Sequence, residues 1–295
     1  MIAPTRPALR WFGGKWRLAP SIVAMMPPHR CYVEPFGGAA SVLLRKPRAY
    51  AEIYNDLDDE LVTYFRVLRD PEQASELIRR LELTPYARTE LRSAYGTSND
   101  PVETARRLVV RSFQGFGANS AHSESTGANS TGFRSNSTRS GTTPAHDWRN
   151  LPACLPPLTE RLRGVTIECG PAIKIMRQHD GPQTLHYVDP PYVHETRSRR
   201  NPYCKKHLYR HELSNADHAT LLDALKSLEG MVIVSGYAHW LYDRKLSGWE
   251  RRTFKAFADG AREREEVVWL NKAATYALDQ ARSQRSMFDM LEAAE

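Results

Sequence analysis

Cysteine is scarce in this 295-residue chain and follows no metal-binding spacing. The four cysteines, Cys31, Cys154, Cys169 and Cys204, lie far apart and form no CxxC pair. Neither a zinc cluster nor a disulfide framework is indicated, and we expect the protein to need no metal. Cysteines without such a framework are typical of proteins in a reducing cytoplasm.

Long apolar runs are also missing from the sequence. No stretch approaches the roughly 18 apolar residues of a membrane-spanning helix. The N-terminus has no apolar core of the kind found in secretory signal peptides. We therefore expect a soluble, cytoplasmic protein without a membrane partner.

Acidic residues are outnumbered by basic ones, and the formal net charge is +7. Such an excess suggests a polyanionic partner. The composition, with 41% hydrophobic and 25% charged residues, is that of a globular protein. A chain of this length can form a full α/β domain with an insertion.

A short stretch at 185–192 carries the clearest chemistry. Residues 185–188 have strand character and lead into Asp189-Pro190-Pro191-Tyr192. The prolines stop the strand, so the Asp189 carboxylate and the Pro190 carbonyl lie at its carboxyl end, where open α/β sheets bind ligands. Two acceptors beside an aromatic ring can hold a planar amino group. The same residues could also be a plain strand end with a surface acid.

Three segments of the N-terminal half together predict a cofactor site. Trp11 and Lys15 flank a Gly-Gly pair, and a strand at 31–34 ends in Glu34 before a glycine-rich loop that should open a helix. A second strand at 51–54 leads to Asp56, close to the spacing of roughly 20 residues at which such an acid binds ribose hydroxyls. An acid before the glycines suits a positively charged amino-acid group. Together these features predict a site for S-adenosylmethionine.

The motifs RWFGGK, YVEPFGGAAS, NDLDDEL and DPPY occur in that order. In these motifs the chain resembles the Dam-like N6-adenine DNA methyltransferases, over nearly its whole length. The resemblance implies a Rossmann-like, S-adenosylmethionine-dependent methyltransferase sheet with an inserted, mostly helical target recognition domain. By position it also implies catalytic residues Asp189, Pro190, Pro191 and Tyr192, and cofactor-binding residues Trp11, Lys15, Glu34, Phe36, Gly37, Asp56 and Asp189.

The resemblance divides the chain into three parts. Residues 1–69 and 160–275 would form the catalytic domain, 70–159 the recognition domain, and 276–295 a C-terminal tail. Within 70–159 the sequence predicts helices at 72–83, 85–94 and 102–116, followed by a Ser/Thr/Gly/Asn-rich stretch with Glu124 as its only acid. Such a stretch is either functional or a disordered loop.

Candidate DNA-binding residues fall in two places. In the family a Gly-Phe-Arg element, here Gly132-Phe133-Arg134, probes the duplex; Arg134 could bind a guanine edge, and Phe133 or Asn136 could fill the space of a displaced base. A basic run after DPPY, which includes Arg199, Arg200, Lys205 and Lys206, contains no acid. We expect it to contact phosphates, although a charged run can also be only a solvated surface.

The remaining strands are predicted at 165–168, 250–258 and 265–270, with residues 262–264 in the last hairpin. Residues 231–237 are predicted to form the fifth strand and the turn that ends it. The family commonly has an acid after the third strand, near the cofactor adenine, whereas this chain has Gly170-Pro171. Glu168 could replace that acid, or packing alone could hold the adenine.

The last residues, 271–295, are polar and Ala-rich, and we expect them to be loosely attached. Within them Gln284-Arg285-Ser286-Met287-Phe288 resembles the short peptides by which bacterial proteins bind the replication sliding clamp. The alternative, which we favour, is a final helix with Met287, Phe288 and Leu291 on its apolar side.

The expected activity is therefore site-specific methylation of the N6 amino group of a flipped adenine in double-stranded DNA, within a bacterial cell or a phage-infected one. Two alternatives remain at this stage. One is a methyltransferase that acts on RNA or on a protein amide, since a planar amide also fits the acceptor pair. The other is a non-catalytic DNA-binding regulator built on a methyltransferase scaffold.

Overall fold

The computed structural model describes residues 3–121, 132–136, 138, 141–196, 209–258 and 262–292. The strands are β1 (Cys31–Glu34), β2 (Ala51–Asn55), β3 (Val165–Glu168), β4 (Thr184–Val188), β5 (Met231–Tyr237), β6 (Glu250–Ala258) and β7 (Arg262–Leu270). The α-helices are α1 (Ala19–Val23), α2 (Asp59–Arg69), α3 (Pro71–Leu83), α4 (Arg88–Ser93), α5 (Pro101–Gln114), α6 (Pro144–Arg149), α7 (Leu155–Leu162), α8 (Ala172–Gln178), α9 (Asn215–Lys226), α10 (Trp240–Lys245) and α11 (Lys272–Glu292).

The strands form one seven-stranded sheet in the order β3-β2-β1-β4-β5-β7-β6. The first five pair in parallel, and β7 runs antiparallel to both β5 and β6. Every residue of β4 is buried, as expected for a parallel strand covered on both faces. The predicted Rossmann-like methyltransferase sheet is confirmed.

Two local predictions near the sheet are wrong. Residues 262–264 were expected in the last hairpin, but they belong to β7 and pair with β6. The glycine-rich loop after β1 was expected to open a helix, but turns follow it instead. Positive φ angles at Gly38 (48°) and Ala40 (52°) interrupt the right-handed backbone there, so a regular helix cannot begin.

Most of the described residues between β2 and β3 lie in helices. Helices α3 and α5 begin at capping aspartates, Asp70 and Asp100, each followed by a proline at the first helical position. Their buried Leu77 and Leu108 belong to the same hydrophobic core as Leu61 of α2 and the sheet. The segment is thus packed onto the sheet's own core, and its status as a separate recognition domain at 70–159 stays a prediction.

The C-terminal segment begins differently from what we expected. It was expected to be loosely attached, but α11 starts at Lys272, and its Ala274 and Leu278 are buried in the core. The clamp-like stretch at 284–288 lies within this helix, although its Met287 and Phe288 side chains fall outside the described part of the structure. No helix in the described ranges combines the length and the apolarity needed to span a bilayer.

Candidate active site

A cavity of about 510 Å³ opens at the carboxyl ends of the central strands. The residues proposed from sequence for cofactor binding and catalysis all line it: Trp11, Lys15, Glu34, Phe36, Gly37, Asp56, Asp189, Pro190, Pro191 and Tyr192. Their meeting follows from the strand order, because β1 lies between β2 and β4 and the three run parallel. The carboxyl ends of parallel strands meet at one edge of the sheet.

The glycine loop after β1 is fixed by the next strand. A Cβ at Gly37 would lie 2.1 Å from Cε2 of Tyr54, which is fully buried on β2. The Tyr54 hydroxyl donates to the Gly38 carbonyl at 2.8 Å, and the Gly38 N–H donates to Asp56 Oδ2 at 2.9 Å. Gly37 is therefore required for the close approach of the loop to β2, and Asp56 helps to hold the loop in place.

Several acids on the cavity wall have raised pKa values, Glu34 and Asp56 among them. Burial raises the pKa of Glu34 to about 8, although Tyr32 and the Leu43 N–H both donate to its Oε2. Burial likewise raises the pKa of Asp56 to about 6. Both carboxyls would be better stabilised as anions if a positively charged ligand occupied the cavity.

Asp189 lies at the end of β4 within a hydrogen-bond network. Its Oδ1 and Oδ2 each accept from Lys15 Nζ at 2.8 Å, and Oδ1 also accepts from Ser235 Oγ at 2.9 Å. Ser235 is 3.0 Å from the Tyr187 hydroxyl. Because Ser235 uses its proton on Asp189, Tyr187 is the donor in that contact. The network fixes the carboxylate from the side of β5.

The Tyr192 ring is stacked on the ring of Tyr237, with centroids 4.3 Å apart and an interplanar angle of 26°. The Tyr192 hydroxyl accepts from Lys15 Nζ at 2.5 Å. Lys15 Nζ therefore lies at the hydroxyl end of the ring, 4.8 Å from its centroid, and Tyr237 covers one of the ring's faces. A planar ligand can stack on Tyr192 only from the other face.

Sequence reasoning did not find several residues of this site. Glu266 on β7 is 2% exposed and lies 3.2 Å from Lys15 Nζ. In the sequence it is one acid among charged residues of a strand, so only its pairing opposite Tyr237 reveals its place. The Ser-Gly-Tyr at the end of β5 was a usable signal for Ser235 and Tyr237, because that strand end adjoins DPPY.

Residues 209–213 pass along the cavity, a position that the sequence did not indicate. Arg210 donates to Asp58 at 2.8 Å and to Glu60 at 2.7 Å, so these ion pairs join this segment to the start of α2. The rings of Tyr209 and Phe12 meet edge to face at 5.2 Å. Arg210, a basic residue shortly after DPPY, is thus engaged within the protein.

The Gly-Phe-Arg element pairs with the end of α5. The Phe116 N–H donates to Gly132 O, and the Arg134 N–H donates to Gln114 O, both at 2.8 Å. Phe133 packs against Tyr86 at 4.9 Å between ring centroids.

Arg134 forms an ion pair with Asp147 at 3.3 Å, with its side chain 13% exposed, whereas Asn136 is exposed. In this state Arg134 is bound to a carboxylate, so it would have to leave Asp147 to read a base. Arg199, Arg200, Lys205 and Lys206 lie outside the described residues.

After β3 this chain has Gly170-Pro171 at the position where the family commonly has an acid. Gly170 is held by Asn55, which accepts from its N–H at 2.9 Å and donates to its carbonyl at 3.0 Å. Ala172 lines the cavity, whereas Glu168 is not among the lining residues. This arrangement favours packing over an acid contact at that position.

Comparison with known proteins agrees with this geometry. The model of the D12 class N6 adenine-specific DNA methyltransferase family matches residues 11–246. That span contains the glycine loop, Asp56, the helical segment and DPPY.

Individual relatives align over shorter stretches. The type II methyltransferase M1.LlaDCHI of Lactococcus lactis subsp. cremoris is 39% identical over 77 residues, which cover 25% of this chain and 26% of that protein. The DNA adenine methylases of Salmonella typhi and Salmonella typhimurium are each 30% identical over 116 residues, covering 38% of this chain and 41% of theirs. The matched parts are thus less than half of each relative. The family model, which covers most of the sequence, assigns the chain to the D12 class N6 adenine-specific DNA methyltransferase family.

Proposed function

We propose that the protein transfers a methyl group from S-adenosylmethionine to the N6 amino group of an adenine flipped out of duplex DNA. The observation that carries this proposal is the position of Asp189. It lies at the end of β4, in one cavity with the glycine loop and Asp56, in a chain of the adenine-specific family.

The cavity suits S-adenosylmethionine in charge and shape. Glu34, Asp56 and Asp189 place three carboxyl groups around it, which favours a ligand with a sulfonium and an ammonium group. Gly37 and Gly38 lack the side chains that would keep a ligand from the loop backbone. When bound, S-adenosylmethionine supplies an activated methyl group on its sulfur.

The protein's contribution to the reaction is chiefly alignment. The adenine amino group is a poor nucleophile because its lone pair is delocalised into the ring. Asp189 and the Pro190 carbonyl would accept its two N–H hydrogens and stabilise the positive charge that develops on nitrogen. Tyr192 would stack on the base and offset part of the cost of flipping, a few kcal/mol.

The assignment to duplex DNA is supported by charge. The chain carries a net charge of +7, and its basic run directly follows DPPY. The similar proteins include DNA adenine methylases, which act on DNA. A DNA substrate also agrees with the expected location in the cytoplasm of a bacterial or phage-infected cell.

Asp189→Asn tests the proposal, because it keeps the size of the side chain while removing its charge. We expect methyl transfer to a duplex containing adenine to fall about 100-fold or more, with duplex binding unchanged. Asp223→Asn, on the exposed face of α9, is the matched control and should keep the full rate. Near-normal turnover in Asp189→Asn would refute the role of the carboxylate. Methylation of RNA or of a protein amide instead of the duplex would refute the substrate.

A further inference from the structure

The Lys15 ammonium contacts more acceptors than it has hydrogens. It lies within 3.3 Å of Asp189 Oδ1, Asp189 Oδ2, the Tyr192 hydroxyl, the Gly13 carbonyl and Glu266 Oε1. An ammonium carries three N–H hydrogens, so these bonds are shared. Lys15 could give up both Asp189 oxygens and still have three acceptors: Glu266, Gly13 O and Tyr192.

Lys15 contacts both carboxylate oxygens of Asp189, the residue that, together with the Pro190 carbonyl, accepts from the target amino group in the proposed reaction. Its nitrogen is 2.8 Å from each, the distance of a strong charge-assisted hydrogen bond. The amino group of a base is also a nitrogen donor of similar reach. The Lys15 ammonium and the amino group of the base would both approach the Asp189 carboxylate from the cavity. The amino group therefore has to compete with Lys15 for the carboxylate oxygens.

Glu266 is the second carboxylate of this cluster. Its side chain is 3% exposed, and its Oε1 lies 3.2 Å from Lys15 Nζ and 3.5 Å from the Tyr192 hydroxyl. Burial lowers the pKa of Lys15, but Asp189 and Glu266 outweigh this effect and raise that pKa well above its ordinary value. The ammonium therefore stays charged, and a charge buried this deeply needs a partner wherever it moves.

We propose that Lys15 holds, in the free protein, the Asp189 acceptor position that the target amino group takes in the reaction, and that Glu266 retains the ammonium once the base has displaced it. Glu266 is thus a positioning residue that acts through Lys15. The inference rests on the proposed function. It explains why an acid is buried on β7, where the four residues that follow it, Val267–Leu270, are apolar or aromatic and buried in the core.

Glu266→Gln tests this role, because glutamine keeps the size and the hydrogen-bonding ability of the side chain but cannot neutralise Lys15. Two signals are measured with S-adenosylmethionine present: single-turnover methyl transfer to an adenine target, and the fluorescence of a duplex with 2-aminopurine at the target position. 2-Aminopurine reports flipping but lacks the 6-amino group, so it cannot displace Lys15 from Asp189.

We expect Glu266→Gln to lower the methyl-transfer rate at least 10-fold and to leave the 2-aminopurine signal within about 2-fold of the unmodified protein. Glu265→Gln, on the neighbouring exposed residue of β7, is the control and should change neither signal. An equal loss of both signals would show general damage to the pocket and overturn the proposal. An unchanged methyl-transfer rate would overturn it as well.

The pair Lys15→Gln and Glu266→Gln gives an independent check through the same single-turnover rate. If Glu266 acts through Lys15, the two losses are not additive, and the double variant is no slower than Lys15→Gln alone. A further full 10-fold loss in the double variant would contradict the inference. Failure of the unmodified protein to methylate any duplex would instead refute the proposed function, so the two failures are distinguishable.

Discussion

At the scale of single residues, burial changes the acid–base chemistry of Glu34. This side chain at the end of β1 is 2% exposed, and its pKa is raised to about 8 by burial. In an unfolded chain a glutamate has a pKa near 4.3. At pH values between these two pKa values, Glu34 is protonated in the folded protein and ionised in the unfolded chain. Lowering the pH within this range therefore stabilises the folded protein.

The contribution of Glu34 to stability is fully present below pH about 4 and is lost as the pH rises through about 8. As the pH rises over this range, we predict that ionisation of Glu34 lowers the free energy of unfolding by at most ~1.4 kcal/mol per pH unit. Urea unfolding at pH 5, 6.5 and 8 would measure it.

Glu34→Gln should flatten this pH dependence, because glutamine is neutral throughout. The exposed Glu72, replaced in the same way, is the control and should leave the slope as it is. A slope that stays the same in Glu34→Gln would mean that another group, such as Asp56, dominates the window.

At the scale of structural elements, the glycine loop and β2 form one unit. Tyr54 is fully buried and donates to Gly38 O, so its ring cannot move away from the loop. The loop holds the N–H of Gly38 against Asp56, and both line the cavity. The shape of the cofactor wall therefore depends on one close contact between the loop and the strand.

Gly37→Ala should break that contact, because the new Cβ would lie 2.1 Å from Tyr54 Cε2. We predict a loss of ~1–3 kcal/mol in stability, as for other overpacked sites, and at least 10-fold weaker binding of S-adenosylmethionine. Thermal unfolding and calorimetric titration would measure the two effects.

Gly181→Ala is the matched control for this substitution. A Cβ there meets its nearest neighbour, Thr184 Oγ1, at 4.0 Å, an ordinary contact, and Gly181 does not line the cavity. Unchanged cofactor binding in Gly37→Ala would show that the loop can shift without affecting the site.

At the scale of the whole molecule, distant parts of the chain close around one core. Helix α11 follows β7, and its Ala274 and Leu278 join the core cluster that also contains residues of α2 and α5. The C-terminal helix is therefore part of the fold for at least its first turns. The clamp-binding interpretation of Gln284-Arg285-Ser286-Met287-Phe288 stays a prediction.

Leu278→Ala should destabilise the protein by ~2–4 kcal/mol, because it removes a buried side chain and leaves a cavity. Tyr276→Ala on the same helix, where the side chain is 69% exposed, should change stability by less than ~0.5 kcal/mol. Thermal unfolding of both variants would compare them. Equal effects would mean that α11 is not held by this face.

Much of the architecture could be predicted from the sequence, because it depends on local signals. Runs of β-branched and apolar residues mark the buried strands, and prolines or glycines mark where they stop. The bounds of β1, β3 and β6 agree with prediction for this reason, whereas β5 continues to Tyr237 through residues that were expected to include its turn. Four motifs in order sufficed to indicate the family, which the family model confirms. The site residues proposed from them line one cavity, while their roles stay predictions.

Only the tertiary structure decided the contacts between residues that are far apart in the chain. Lys15 and Asp189 are 174 positions apart, yet they share an ion pair with Glu266, whose burial no local pattern indicated. Likewise Arg134, predicted to read DNA, is paired with Asp147. The hydrophobic pattern of a segment and the prolines or glycines that end a strand are local signals, so they determine where strands lie and where they end. The partner of each charge is set by the packing of the sheet, because burial makes an unpaired charge costly.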